Sequence, residues 1–520
     1  MEGRNEIKHK QFTFMLAALV LVSYCAYLPS HMSIDSWGVA ISYADMDAMD
    51  AGHLRAVWSE AVFAGFSAGR FARATLFLLF ALLHKASWLQ MPWVNAVAVM
   101  FMALSGCKML QMVLKTDDEN YSIIVKFLCI AIAVCNPFFT DWMQYYEVQL
   151  YHPMGMYLAI LAAERLFLEE SWRTKNWVLA SLLLTIAGGL YQITLQYFVL
   201  LAVVMAIQIL FRRTAAKDNY VLFWQKLFSA VSVYAVAAAV QFLFIKAFGG
   251  QRIHSNSFQE IMASLLQVQA PLWKMVPYTG NKWTGLFAIA VGALMLRALI
   301  EIWSREEPVG CCVRKTMLVF IAFAGFYTAL FLPLVVSELW FPQRSLVGFW
   351  GIPLIFAVAG NEGRELQKKL KNKNVLQLVS KICIAVCTVL LMANICNCQQ
   401  FASGLYKTNG FDMMRGKWIY QVIEKYERQT ERSAEKVAFI QDDVPTYTYP
   451  TVVSNHENNQ AAWSASWNSR AILEMASGRK FQEVEYPREL FESRYDVRNW
   501  DGPDEEQIFF DDDTAYIVIY

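Results

Sequence analysis

The chain has 520 residues, 56% of them apolar and only 17% charged, and a mean hydropathy of +0.31. Soluble domains carry about 25% charged residues, so these values exclude an ordinary cytosolic enzyme, a disordered chain and a disulfide-stapled secreted module. The net charge of +1 hides two opposed parts: residues 399–520 hold 13 Lys+Arg against 21 Asp+Glu (−8), residues 1–398 hold 32 against 23 (+9), and the contrast predicts a membrane body and a soluble tail in different compartments.

Apolar runs near 12–28, 92–114, 121–136, 154–168, 177–190, 192–211, 220–248, 283–303, 316–336, 345–360 and 376–396 predict a polytopic α-helical membrane protein with about eleven transmembrane helices. Basic clusters at Arg4/Lys8/Lys10, Arg173/Lys175, Arg212/Arg213/Lys217, Arg305/Arg314/Lys315 and Arg364/Lys368/Lys369/Lys371/Lys373 then all fall on the cytoplasmic side. The N-terminus is expected in the cytoplasm. The loops 29–91, 137–153, 249–282 and 337–344 and the tail are expected outside. Thr75–Leu83 is too short to span, and counting it would place the Lys-rich 364–373 loop outside, so it is read as a helix in the outer interface. The first run starts like a signal peptide, but Tyr24-Cys25-Ala26-Tyr27-Leu28-Pro29 is a poor cleavage site, and the helix is read as retained.

Two domains are expected: a membrane domain over 1–398 and a small extracytoplasmic α/β domain over 399–520. In the latter, Trp418, Ile419, Val422, Ile423 and Tyr426 follow helical spacing, Val437–Ile440 and Tyr516–Ile519 read as strands, and Ala461–Ser477 as another helix. Most of the ten cysteines lie within spans. Cys396 and Cys398 at the outer interface are the one pair placed to oxidise.

The chain contains no nucleotide-binding glycine loop, no H-E-x-x-H and no C-x-x-C, so any chemistry has to use a substrate already activated at the membrane. Acids, aromatics and cations gather instead in the outer loops. Asp35, in His31-Met32-Ser33-Ile34-Asp35-Ser36-Trp37-Gly38, is placed to act as a general base toward a hydroxyl acceptor, and Trp37 offers a flat face to a sugar ring. An N-cap acid and a belt aromatic are the other readings of that pair. Asp45, Asp47 and Asp50 read as a solvated turn. Arg70 is suited to pair with a lipid phosphate or to anchor the interfacial helix to headgroups.

The loop from Asn136-Pro137-Phe138-Phe139-Thr140-Asp141 through Glu147 to Tyr151-His152-Pro153 has two acids, several aromatics and no Lys or Arg. Such a face suits a cationic, hydroxylated or metal-bridged ligand, with belt aromatics as the alternative. Gly188-Gly189-Leu190-Tyr191-Gln192 reads as a tight outer turn, with Gln192 and Gln196 available for helix-to-helix hydrogen bonds. Arg344, in Phe341-Pro342-Gln343-Arg344-Ser345, stands on the outer side against the positive-inside trend, as a phosphate ligand would. Arg297 and Glu301 are spaced for an intrahelical ion pair.

The order of these motifs resembles the glucosyl transferase II family of O-antigen-type, polyprenyl-phosphate-sugar-dependent GT-C glycosyltransferases. Asp-x-Trp-Gly follows the first helix, Gly69-Arg70-Phe71-Ala72 precedes the second, Asn-Pro-Phe-Phe with acids follows the third, Tyr191-Gln192 lies at a turn, and an Arg stands near the last spans. The resemblance covers most of the chain. Two features depart from it: the family's acid pair is Asp-Asp where this chain has Asp35-Ser36, and the interval from Asp35 to Gly69-Arg70 is longer.

The resemblance implies a GT-C-like arrangement and an inverting transfer of a hexose, glucose in the first place, from polyprenyl phosphate such as undecaprenyl phosphate to a surface or lipid-linked polysaccharide such as O-antigen. It implies catalytic roles for Asp35, Asp141 and Glu147, phosphate binding by Arg70 and Arg344, and substrate contacts by Trp37, His152, Tyr191 and Gln192. No cofactor is assigned, and Ser36 in place of the second acid leaves a divalent cation, Mg or Mn, open. The expected partners are the polyprenyl-phosphate sugar donor, the glycan acceptor, membrane lipids, a donor-synthesising glycosyltransferase and a donor flippase, with no nucleic acid. The expected place is the bacterial cytoplasmic (inner) membrane, with the tail periplasmic. The rival functions are a lipid-linked oligosaccharide flippase, which would show internal repeats that this chain lacks, and a polysaccharide polymerase or ligase.

Overall fold

The computed structural model describes residues 2–114, 120–146, 148–167, 174–211, 216–249, 284–304, 307–331, 343–359, 373–440, 448–453, 458–487 and 505–519, with isolated residues between 257 and 269 and at 489. Glu147, Phe341-Pro342, most of the 249–282 loop and the basic residues 364–372 lie outside the described residues.

Helix α1 (Glu2–Tyr24) packs against α5 (Pro92–Leu114) and α6 (Asn120–Val134). Between α1 and α5 the first loop folds into α2 (Ser36–Ala48), α3 (His53–Ala64) and α4 (Phe71–Ala81), so the expected interfacial segment is indeed a short helix. Leu54, Trp58, Phe63, Leu79, Leu82 and Leu83 are exposed on this hairpin, as suits a helix pair lying at a lipid surface. After a break at Asn136-Pro137, α7 (Phe138–Gln144) follows α6 at an angle of 41°. The chain continues through α8 (Tyr151–Phe167), α9 (Thr174–Leu190), α10 (Leu195–Leu210), α11 (Ala216–Ala247), α12 (Thr284–Trp303), α13 (Val309–Ala329) and the short α14 (Ile352–Val358).

Seven helices among the described residues are long and apolar enough to cross a membrane, and α6 with α7 make an eighth as one broken span. The remaining runs of the expected eleven fall on α8 and α9, 17 residues each, and on the seven-residue α14. At 1.5 Å per residue, α8 and α9 are about 26 Å long, short of a hydrocarbon core of about 30 Å. The protein is a polytopic helical membrane protein, but eleven complete crossings exceed the helices that qualify.

The last helix, α15 (Lys373–Thr430), has 58 residues. It is about 87 Å long, far more than one bilayer. Its first half is apolar. Beyond the expected boundary at 398/399 it runs on without a break and becomes amphipathic, burying Ile419 and Ile423 against the tail. The two thiols near that boundary, Cys396 exposed and Cys398 buried, are both free. Two residues apart on one helix they point to opposite sides, which corrects the expectation of an oxidisable pair.

The tail adds a four-stranded sheet in the order β2-β1-β4-β3, made of β1 (Lys436–Ile440), β2 (Gln482–Glu483), β3 (Ile508–Asp511) and β4 (Thr514–Val518). β1 and β4 pair in parallel, as do β1 and β2, and β3 closes antiparallel on β4. The helix expected at Ala461–Ser477 is two 3₁₀ turns followed by α16 (Ser469–Ser477). The core of this unit also contains Trp37 and Ile41 from α2, so the first loop and the tail share one apolar cluster.

The glycines before Tyr191 continue α9 to Leu190, where a turn was expected. Their function is close approach: a Cβ on Gly189 would stand 2.5 Å from Cζ of Phe71, whose ring is stacked on Phe244 at 4.5 Å. Gly189→Val should therefore destabilise the bundle by about 1–3 kcal/mol through overpacking. A thermal melt in detergent matching wild type would refute the contact.

Candidate functional site

Five segments far apart in sequence meet at one end of the bundle, and they are the loops that charge alone assigns to a single side. The first is His31–Ser36. The His31 ring is buried between the backbone oxygens of Pro29 (Nδ1, 2.9 Å) and Met143 (Nε2, 2.7 Å), tying this stretch to α7. Ser36 Oγ accepts from the Tyr146 amide at 3.4 Å, and Ile34 packs on the cluster of Tyr145, Val148, Tyr151 and Leu190. Asp35, half-buried between these contacts, stands at the N-cap of α2 but makes no side-chain capping bond, so the simple capping role is absent.

Asp141 is buried in α7 and pairs with Arg344. It accepts from the Arg344 amide at 3.0 Å, from Nη1 at 3.3 Å and from Gln144 Nε2 at 2.7 Å. The Arg344 guanidinium also lies over the Tyr145 ring, 4.6 Å from its centre, and donates to the Tyr145 hydroxyl at 3.2 Å. Trp142 Nε1 donates to the Arg344 carbonyl at 3.0 Å. Asp141 therefore orients Arg344 in this conformation.

A second cationic group adjoins the first through stacked rings. Trp142 contacts His152 (5.1 Å), His152 stacks on Tyr191 (3.8 Å), and Arg70 lies over Tyr191 at 5.2 Å. Arg73, one turn on, lies over Tyr151 at 5.7 Å. His152 is buried, and its Nδ1 has no hydrogen-bond partner among the described residues. Such a nitrogen normally finds a partner, so a ligand atom would be favoured here. Gln192 reaches back to the Ala68 carbonyl at 2.6 Å, fixing the turn that carries Arg70. Gln196 does the same for the Arg344 turn, donating to Ser345 O at 2.8 Å and accepting from Gly348 N at 2.9 Å. Both glutamines thus make the helix-to-segment hydrogen bonds that their apolar setting demands.

Of the expected site residues, Asp141, Arg344, Arg70, His152, Tyr191 and Gln192 belong to this assembly, and Asp35 lies on the adjoining segment. Glu147 lies outside the described residues. Trp37 requires correction: only 3% exposed, it is packed in the tail core and presents no free face to a sugar. Asp45 and Asp47 lie within helix α2, which corrects the expectation of a solvated turn there; Asp45 pairs at the surface with Lys480 at 2.8 Å, and Asp47 accepts from the amides of Ala86 and Ser87. Arg297 and Glu301 form the expected ion pair at 3.1 Å. Sequence reasoning passed over Arg73, Tyr145 and Tyr151 as ligands, although Arg70-x-x-Arg73 is the spacing that puts two cations on one helical face.

For a divalent ion the fit is poor. Among the described residues no group of three or more His, Cys, Asp or Glu side chains could hold one. Both Asp141 oxygens are already engaged.

Burial pushes the His31 imidazole below its ordinary value, against the opposing pull of the Pro29 and Met143 carbonyls. A neutral ring donates from one nitrogen only and so satisfies one of the two carbonyls; with the folded value lowered, this contribution is present above the unfolded value of about 6.5 and is lost as pH falls through the folded value. Thermal melts taken from about pH 8 to about pH 5 should fall for wild type and flatten in His31→Gln. Equal slopes would refute the assignment.

No curated protein matches the chain on comparison. The family model described as glucosyl transferase GtrII matches residues 58–360, a stretch that holds Arg70, Asp141, His152, Tyr191, Gln192 and Arg344, with Asp35 and the tail on either side of it. With more than half its length matched, and with the fold of a polytopic helical membrane protein, the chain belongs to the glucosyl transferase GtrII family and is a membrane glycosyltransferase.

Proposed function

We propose that the protein transfers a hexose, glucose in the first place, from a polyprenyl-phosphate donor to a surface or lipid-linked polysaccharide such as O-antigen, on the outer face of the bacterial inner membrane. The observation that carries this reading is the convergence of Arg344, Arg70 and Arg73 on one aromatic-walled end of the bundle, beside an acid-bearing loop. A phosphodiester leaving group suits guanidinium groups that are held in place before the reaction. The orientation follows from loop charge, which puts the N-terminus in the cytoplasm and the tail outside.

In the transfer, an acceptor hydroxyl oxygen attacks the anomeric carbon from the face opposite the phosphate. The new glycosidic C–O bond forms, the C–O bond to phosphate breaks, and polyprenyl phosphate leaves with the bonding pair. Asp35 takes the hydroxyl proton as general base. Arg344, oriented by Asp141 and Tyr145, and Arg70 with Arg73 balance the charge on the leaving phosphate. His152 Nδ1 is available to an oxygen of the sugar donor, and the Tyr191 ring contacts both Arg70 and His152.

The reading is tested in vesicles given labelled polyprenyl-phosphate hexose and acceptor glycan. Covalent hexose in the glycan, with loss of the donor, is expected. Movement of lipid-linked glycan between leaflets without covalent change would refute it in favour of transport, and chain extension of the glycan would refute it in favour of a polymerase.

A further inference from the structure

The exported tail reaches into both halves of the candidate site. Asn468, fully buried at the start of α16, accepts from the Gly38 amide at 3.1 Å and donates to the Ile34 carbonyl. These two backbone groups lie on either side of Asp35. Asn458, also buried, donates to Gln343 Oε1 at 2.6 Å and to Thr140 Oγ1 at 3.4 Å. Gln343 precedes Arg344 and Thr140 precedes Asp141. A third asparagine, Asn409 on α15, makes two bonds with the backbone of Met32, accepting from its amide at 2.8 Å and donating to its carbonyl at 2.6 Å.

The segment bearing these asparagines is itself fixed to the long helix. Asp412 on α15 accepts from the Ala462 amide at 3.2 Å and from the Tyr449 hydroxyl at 2.9 Å, and its carbonyl accepts from Trp463 Nε1 at 2.9 Å. A continuous helix thus carries the tail from the membrane body onto the outer loops, and amide side chains complete the connection. An amide both donates and accepts, so one Asn can hold two backbone groups that a hydrophobic side chain could only crowd.

We propose that the tail is a working part of the transfer site, with Asn468 a positioning residue for Asp35 and Asn458 a positioning residue for the Asp141–Arg344 pair. This rests on the reading of the outer cluster as the transfer site. The separation of roles is specific: Asn468 acts on the proton-accepting half, Asn458 on the phosphate-holding half.

Full-length Asn468→Ala and Asn458→Ala should therefore behave differently. A displacement of about 1 Å at a reacting group can cost about 10²-fold in rate. Asn468→Ala is expected to lower kcat by about 10–100-fold while the donor KM changes little. Asn458→Ala is expected to act mainly by raising the donor KM. Asn468→Ser keeps a hydroxyl that can make one of the two bonds, so it should fall between wild type and Asn468→Ala, and it provides a second variant if the alanine protein does not fold. Hydrogen exchange supplies a readout independent of turnover: amides of residues 31–38 should exchange faster in the Asn468 variants, and those of 138–145 in Asn458→Ala.

Folded variants whose kcat and KM match an active wild type, or unchanged exchange in both segments, would overturn the assignment. An inactive wild type would overturn the transfer reading instead, and the exchange data would still decide whether the tail holds these segments.

Discussion

Replacing Arg344 with Ala should lower hexose transfer by about 10²–10³-fold, the loss expected when one oriented group opposite a developing negative charge is removed. The side chain is held by two neighbours: by Asp141 at 3.3 Å, and by Tyr145 through its hydroxyl at 3.2 Å and its ring. It therefore need not reorganise when the phosphate departs. The competing explanation of a loss is damage to the fold, since breaking a buried charge pair by removing one partner costs about 3–5 kcal/mol. Arg344→Lys separates the two. It keeps a positive charge beside Asp141 but presents a single ammonium where the guanidinium forks, so stability should recover more than transfer does. Asp141→Asn should be deleterious by itself and add little to Arg344→Ala, because groups acting as one unit are not additive. Full additivity of the two in transfer assays would show that Asp141 does not act through Arg344.

Asp35→Asn should lower transfer by about 10²–10⁴-fold, the ordinary loss on removing a general base. Here the structural cost is small for a physical reason. Asp35 is at the N-cap of α2, and Asn, nearly the same size, serves an N-cap about as well as Asp. Melting temperature and expression should stay near wild type while the hexose content of the glycan, read by mass spectrometry, falls. Unchanged transfer at equal expression would remove Asp35 from the mechanism, and loss of both transfer and folding would return it to a structural role.

How legible this was from sequence depends on the range over which the information acts. Apolar length and the charge of short loops depend on local composition, and they yielded the membrane class, a short helix in the first loop and the gathering of the segments bearing Asp35, Arg70, Asp141 and Arg344 at one end of the bundle. Asp141 and Arg344 were each chosen for their own environment, one as an acid in a loop without Lys or Arg, the other as a cation on the wrong side for the charge trend. That they pair across 203 positions could not be read from either. Trp37 was misjudged because an aromatic next to an acid looks the same whether it faces a sugar or a distant domain. Only its place in one apolar cluster with Ile419, Ile472 and Trp463 decides. The tail asparagines were missed for the same reason: Asn in a polar segment reads as turn chemistry, and the partners that tie it to the site lie 115 to 434 residues away. Gly189 was read as a turn because glycine marks turns more often than close helix approach.

The central claim, that a polyprenyl-phosphate sugar is held between Arg344, Arg70 and Arg73, is tested most directly by photo-crosslinking with a diazirine-bearing polyprenyl-phosphate hexose and mapping the label by mass spectrometry. Label should fall on residues 66–73, 138–152 and 343–346, and unlabelled donor should compete it away. Label confined to other surfaces, such as the region of the Arg297–Glu301 pair, would contradict it.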